Sequence, residues 1–141
     1  MSKLAVQFLD VGFHRVLFDA MPMPAFVVNR EMSIFDYNAA AARLLGKNRK
    51  FIIQQRSGAA LNCVHSMEEP GGCGTTPSCR DCVVRQSVQT ATRGRRVTRQ
   101  WAQMQLVRKG KTTRVKLRVS CQPFTYGRSS FVLLMLEGLN D

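Results

Sequence analysis

Four of the five cysteines of this 141-residue chain fall within twenty positions: Cys63, Cys73, Cys79 and Cys82, spaced C-x9-C-x5-C-x2-C. Two thiols three positions apart can face one ion, and four thiolates suit tetrahedral zinc or an iron–sulfur cluster. The glycines around Cys73 (Gly71, Gly72, Gly74) let a loop wrap tightly and present N–H groups to sulfur. His65, two residues after Cys63, is a candidate auxiliary ligand, with a partly exposed loop histidine as its plainer reading. The same thiols can instead cycle between dithiol and disulfide. Arg80 and Arg85 lie near Cys79 and Cys82 and favour the thiolate that such exchange needs. Spacing does not separate zinc, cluster and redox pair, nor does it exclude ordinary buried cysteines. The fifth, Cys121, alternates with Val115, Leu117 and Val119 and reads as a core thiol.

These sulfurs need elements to hold them. Pro70, Gly71, Gly72, Gly74 and Pro77 oppose regular structure over 59–78, so this stretch reads as a loop. Ser78 is the expected cap of a helix from about Cys79 to Ala91, which would set Cys79 and Cys82 in its first turn, where the helix dipole favours negative sulfur. Upstream, AFVVN (25–29) and SIFDY (33–37) read as a hairpin, and Asn38 as the cap of an alanine-rich helix over 39–45 closed by Gly46. Phe51, Ile52 and Ile53 make an apolar anchor after it. Leu4, Phe8, Val11 and the Val16/Leu17 pair recur at helical spacing, giving an amphipathic helix over 4–20 that ends at the Met-Pro-Met-Pro run 21–24.

The last third changes period. Val97–Val107 and 112–122 read as two long strands joined at Lys109-Gly110-Lys111. In the second, Val115, Leu117, Val119 and Cys121 share one face and Arg114, Lys116, Arg118 and Ser120 the other. SFVLLML (130–136) is apolar on both faces, as a central strand should be. The expected fold class is therefore α/β of the α+β kind: a five-stranded antiparallel sheet, middle helices on one face, and an amphipathic helix at the start.

The run LFDAMPMPAFVVNREMSIFDYNAAAARLLG, residues 17–46, resembles the opening of a PAS domain: a Met-Pro-x-Pro entry, a hairpin, and an Asn-Ala-Ala helix ending in Leu-Leu-Gly. The three C-terminal strands fit that family's arrangement. The segment GAALNCVHSMEEPGGCGTTPSCRDCVVR resembles a cysteine-bearing subgroup of PAS domains in bacterial-type signalling proteins. The resemblance implies a covering or dimerisation helix over 1–21 and a sensor domain over 22–138, with a cysteine-rich insert at 58–85. It implies a homodimer that passes a signal to a downstream effector. Because the host fold is sensory, it also tips the cysteine centre from structural zinc towards a regulatory iron–sulfur cluster. Asn62-Cys63-Val64-His65 departs from the reactive-cysteine motif of flavin-photochemical PAS domains, and His65 is the one histidine placed for a haem reading.

Between sheet and middle helices, Phe26, Val28, Leu44, Phe51, Val88, Leu117 and Leu133 are expected either to line a pocket for a small organic ligand or to fill the space themselves. The formal charge is +12, with +9 carried by residues 91–141. Arg95, Arg96, Arg99, Arg114, Lys116 and Arg118, beside Trp101, form a candidate surface for nucleic acid or an acidic partner. A solvated or partner-facing surface is the plainer reading. With two histidines and no workable Ser-His-acid set, no catalytic residues are assigned and no enzyme is expected. No apolar run is long enough to span a membrane, and the N-terminus makes a poor signal peptide; a cytoplasmic address is the expectation.

Overall fold

The computed structural model of the protein describes residues 11–46, 49–53, 61, 63 and 82–138. The elements run α1 (Val11–Ala20), β1 (Ala25–Val28), β2 (Ile34–Tyr37), α2 (Ala39–Leu45), a 3-10 turn (Arg49–Phe51), α3 (Val83–Thr92), β3 (Val97–Arg108), β4 (Lys111–Tyr126) and β5 (Ser129–Glu137). They form an α+β domain, as expected from the patterning. The strands make one antiparallel sheet in the order β2-β1-β5-β4-β3. β5 lies at its centre, which explains why both of its faces are apolar. Phe26 stands opposite Leu134, and Cys121 opposite the same residue from the other side.

Two-residue turns set the register of the long strands. Arg108 pairs with Lys111, so Lys109-Gly110 is the whole loop. Both carry positive φ, 51° and 77°, which is the type I′ geometry whose twist matches flanking strands. The turn Gly127-Arg128 joins β4 and β5 in the same compact way, with Tyr126 opposite Ser129. Between β1 and β2, the Asn29 side-chain oxygen accepts from the backbone N–H groups of Glu31 and Ser33, and this local bonding shapes the turn.

The core occupies one face of the sheet. Ala102, Met104 and Leu106 of β3, Leu117, Val119 and Cys121 of β4, and Val132, Leu134 and Leu136 of β5 are buried there. α3 covers them with Val84, Val88 and Ala91, in contact with all three strands. Ile52 and Leu61 complete the cluster. On the other face, Phe35, Phe124 and Phe131 form a chain of ring contacts with centroids 5.5 and 5.6 Å apart.

α3 begins at Val83, not near Cys79: Cys82 is the N-cap, in extended conformation. The expected cap Ser78 and the expected helix start Cys79 lie outside the described residues. The valines that bury against the sheet set the start of this helix. The described part of the N-terminal helix packs beside α2. Arg15 ties it down, reaching Asp36 at 2.9 Å, Asp19 at 2.8 Å and the carbonyl of Tyr37 at 2.7 Å. Val16 and Leu17 remain exposed on it. No helix among the described residues is long and apolar enough to cross a membrane.

Candidate functional site

Two of the four clustered cysteines lie among the described residues, and both meet the same core. Cys63 forms an isolated antiparallel bridge with Leu106, a fully buried residue of β3. Cys82 caps α3 through its carbonyl, which accepts from the N–H of Gln86 at 2.9 Å. Its sulfur makes no capping bond to the helix, so the thiol is not spent on the helix end. Both side chains are half-buried and pack against the central cluster. Because α3 lies on β3, the element carrying Cys82 rests on the strand that holds Cys63. Cys73, Cys79 and His65 lie outside the described residues, and among the described residues no three Cys, His, Asp or Glu side chains gather as a metal site. Both placed thiols are soft and partly dry, and that of Cys82 also stands at the positive end of a ten-residue helix.

Cys121 is distinct. It is 1% exposed on the core face of β4, and burial pushes its thiol up to about 12 from an ordinary 9.0. A thiol so buried stays protonated and poorly nucleophilic at neutral pH.

The expected pocket residues divide. Phe26, Val28, Val88 and Leu117 are buried together, and Leu44 packs against them from the side. Phe51 does not join them. It is 53% exposed with the Lys50 ammonium 5.0 Å above its ring, because the 3-10 turn delivers the next residue, Ile52, inward instead. Leu133 does not join them either. Strand alternation puts Val132 and Leu134 on the core face and Leu133 on the opposite one. Of the seven, the five that face the core lie in or against one apolar cluster. An open cleft of about 590 Å³ lies at the end of the sheet, among Asn29, Arg30, Thr92, Gly94, Phe124 and Phe131. Sequence reading missed it, because it draws on four segments whose meeting no local spacing announces. Its lining includes one guanidinium, one amide, three hydroxyl side chains (Thr92, Thr125 and Ser130) and two phenyl rings.

Arg95 and Arg96 are exposed between α3 and β3. Arg99 sits in a bulge of β3 with φ of 48°. Its N–H donates to the Ser120 hydroxyl, and its guanidinium lies 3.3 Å from Glu137. Arg114, Lys116 and Arg118 follow one another on the outer face of β4, with the Arg118 guanidinium 4.3 Å from the centre of the Trp101 ring. Arg114, Lys116 and Arg118 share one sheet face, as the alternation implied, and the bulge of β3 adds Arg99 to it.

The strand order and the helices on one face are those of a PAS domain. Solved structures agree. The PAS domain of nitrogen regulation protein NR(II) from Vibrio parahaemolyticus superposes with a TM-score of 0.61 at 17% identity, covering 89% of this chain and 96% of that one. The PAS domain of an HTR-like protein from Haloarcula marismortui gives 0.58 at 15% identity, over 96% and 98% of the two chains. An RNA-binding light-oxygen-voltage receptor gives 0.60 at 15%, over 99% of this chain and 35% of that one. No curated protein sequence shows significant similarity. Within this fold the assignment is narrower. The family model of the MmyB-like transcription regulator ligand binding domain matches residues 10–107, and the chain belongs to that family.

Proposed function

We propose that this chain is the sensory domain of a transcription regulator, and that Cys63, Cys73, Cys79 and Cys82 form one sulfur centre that reads its signal. The observation that carries the reading is the convergence of Cys63 and Cys82 on a single core from two elements, the β3 bridge and the α3 cap. The family supplies the regulator context. Four thiolates would hold an iron–sulfur cluster, preferred here to structural zinc because the domain's role is to sense; the cluster would supply redox chemistry. The chain's own part is to keep the thiols partly dry and to couple them to α3 and β3. A shift in Cys82 is felt at the helix cap, and a shift in Cys63 at the edge strand. The domain acts without catalysis, in the cytoplasm, and passes its state to an effector. Its exposed Val16 and Leu17 supply apolar surface for a homodimer.

Anaerobic purification, metal and sulfide analysis and an absorption spectrum test this. Iron, sulfide and broad visible absorption are expected, all lost in Cys82→Ser. Colourless protein with stoichiometric zinc would move the centre to a structural role. Metal-free protein whose thiols pair on mild oxidation would make it a disulfide switch. Metal-free protein whose cysteines react independently would end the reading.

A second reading is favoured by the cleft at the sheet end, whose volume falls within the roughly 300–1,000 Å³ of small-molecule sites. There a small organic acid would set its carboxylate on Arg30 and its apolar part against Phe124 and Phe131. Saturable, Arg30-dependent stabilisation by such acids in a thermal-shift screen would support it.

A further inference from the structure

We infer that the outer face of the β3–β4 hairpin binds single-stranded nucleic acid, at a surface separate from the cysteine centre. Three cross-strand pairs line this face: Trp101 opposite Arg118, Gln103 opposite Lys116, and Gln105 opposite Arg114. Successive pairs are two residues apart, so the rows are spaced by about 6.7 Å along the strands. The alternate residues Ala102, Met104 and Leu117 are buried in the core, so the hairpin's orientation is fixed and the outer row cannot turn inward.

The chemistry of the row is specific. Trp101 leaves 58% of its surface exposed, although a ring of that size is usually much buried. Arg118 stacks on it at 4.3 Å, and the pair offers a composite flat surface for an unpaired base. Arg114 and Lys116 are exposed and stand where phosphates of a strand lying along β4 would pass. Gln103 and Gln105 put amide donors and acceptors between the cations, suited to base edges. Among the described residues, the cations Arg99, Arg114, Lys116 and Arg118 share this face with the carboxylate of Glu137, which Arg99 already engages. Exposed Arg95 and Arg96 extend the positive field from the start of β3.

The charge argues against a second copy of the chain as occupant, since symmetric stacking would set these cations against their equivalents. An acidic peptide would satisfy the cations but has no use for the exposed ring and the amides. Duplex nucleic acid keeps its bases stacked away from Trp101. A single strand uses all three kinds of group.

Trp101 is the chain's only tryptophan, so its emission reports on this face directly. The full chain is titrated with single-stranded oligothymidine at low salt. Emission should be quenched on binding, and log affinity should fall with log salt at a slope of about −2 to −3, as three or four phosphate contacts to a single strand require. Arg114→Gln/Lys116→Gln/Arg118→Gln should weaken binding at least about tenfold and flatten the slope, while Arg43→Gln on α2 should not. Trp101→Ala, followed by anisotropy of a labelled strand, should lose about tenfold. Circular dichroism and melting temperature check that each variant is folded. Three results would overturn the inference: no quenching at low salt; equal affinity for heparin, polyglutamate, anionic vesicles or duplex DNA; or concentration-dependent self-association that buries Trp101.

Discussion

Asn38 holds three segments together with one amide. Its side-chain oxygen accepts from the backbone N–H groups of Ala25 and Ala41, and its side-chain nitrogen donates to the Met23 carbonyl, each at 3.0 Å. The residue is fully buried. Removing the amide strips the α2 cap and leaves buried backbone groups without partners. Asn38→Ala should therefore destabilise the fold by about 2–4 kcal/mol, measured by urea unfolding. The capping role was legible from Asn before an alanine run. The bonds to Ala25 and Met23 were not, since they depend on β1 lying beside the start of α2. Cys121 supports a second expectation at this scale. Its folded thiol titrates at about 12 and its unfolded one near 9.0, so the folded state binds the proton more tightly. The contribution of this group to stability is whole below pH 9 and is lost as pH rises from 9 towards 12. At pH 8 a thiol reagent should leave Cys121 unlabelled in the folded chain and label it on unfolding. Labelling in the folded state would show that the core face of β4 opens.

At the scale of elements, pattern worked where one face is wet and one dry. The β4 alternation gave its two faces correctly, and the doubly apolar β5 proved to be central. It failed where apolar residues run together. Nothing in Phe51-Ile52-Ile53 says that the middle residue turns inward, and nothing in SFVLLML says which alternate set meets α3. The hairpin loop carries a sharp expectation. Gly110 at φ 77° occupies left-handed space, so Gly110→Ala should cost about 1 kcal/mol while leaving the sheet intact by circular dichroism. The attachment of α1 carries another. The Arg15 guanidinium, hydrogen-bonded to Asp19, holds that carboxyl below its ordinary value. A depressed acid stabilises above its unfolded pKa and ceases to do so as pH falls through the folded one. Acidification towards pH 3 should therefore loosen α1 before the sheet unfolds. Arg15→Ala should do the same at neutral pH, seen as several-fold faster amide exchange over residues 11–20 with little change in melting temperature. Unchanged exchange would mean that packing against α2 alone fixes the helix.

Across the whole molecule, the two proposed working regions of this PAS domain lie on opposite faces of one sheet. The core face carries α3, Cys63 and Cys82; the outer face carries aromatic contacts on one side and a cationic strip on the other. Charge was legible as a total and as a C-terminal excess, but only the sheet gathers Arg99 with Arg114, Lys116 and Arg118. The cysteine spacing was equally plain in sequence. That one of these cysteines meets β3 and another caps α3 was not, because the sequence between them has no hydrophobic period. The central claim is a shared sulfur centre, and X-ray absorption at the metal edge of anaerobically prepared protein tests it most directly. A first shell of sulfur alone at about 2.3 Å is expected, with four protein thiolates accounted for by chemical labelling. A shell of nitrogen and oxygen, or protein without metal in which Cys63 and Cys82 label independently, would contradict it.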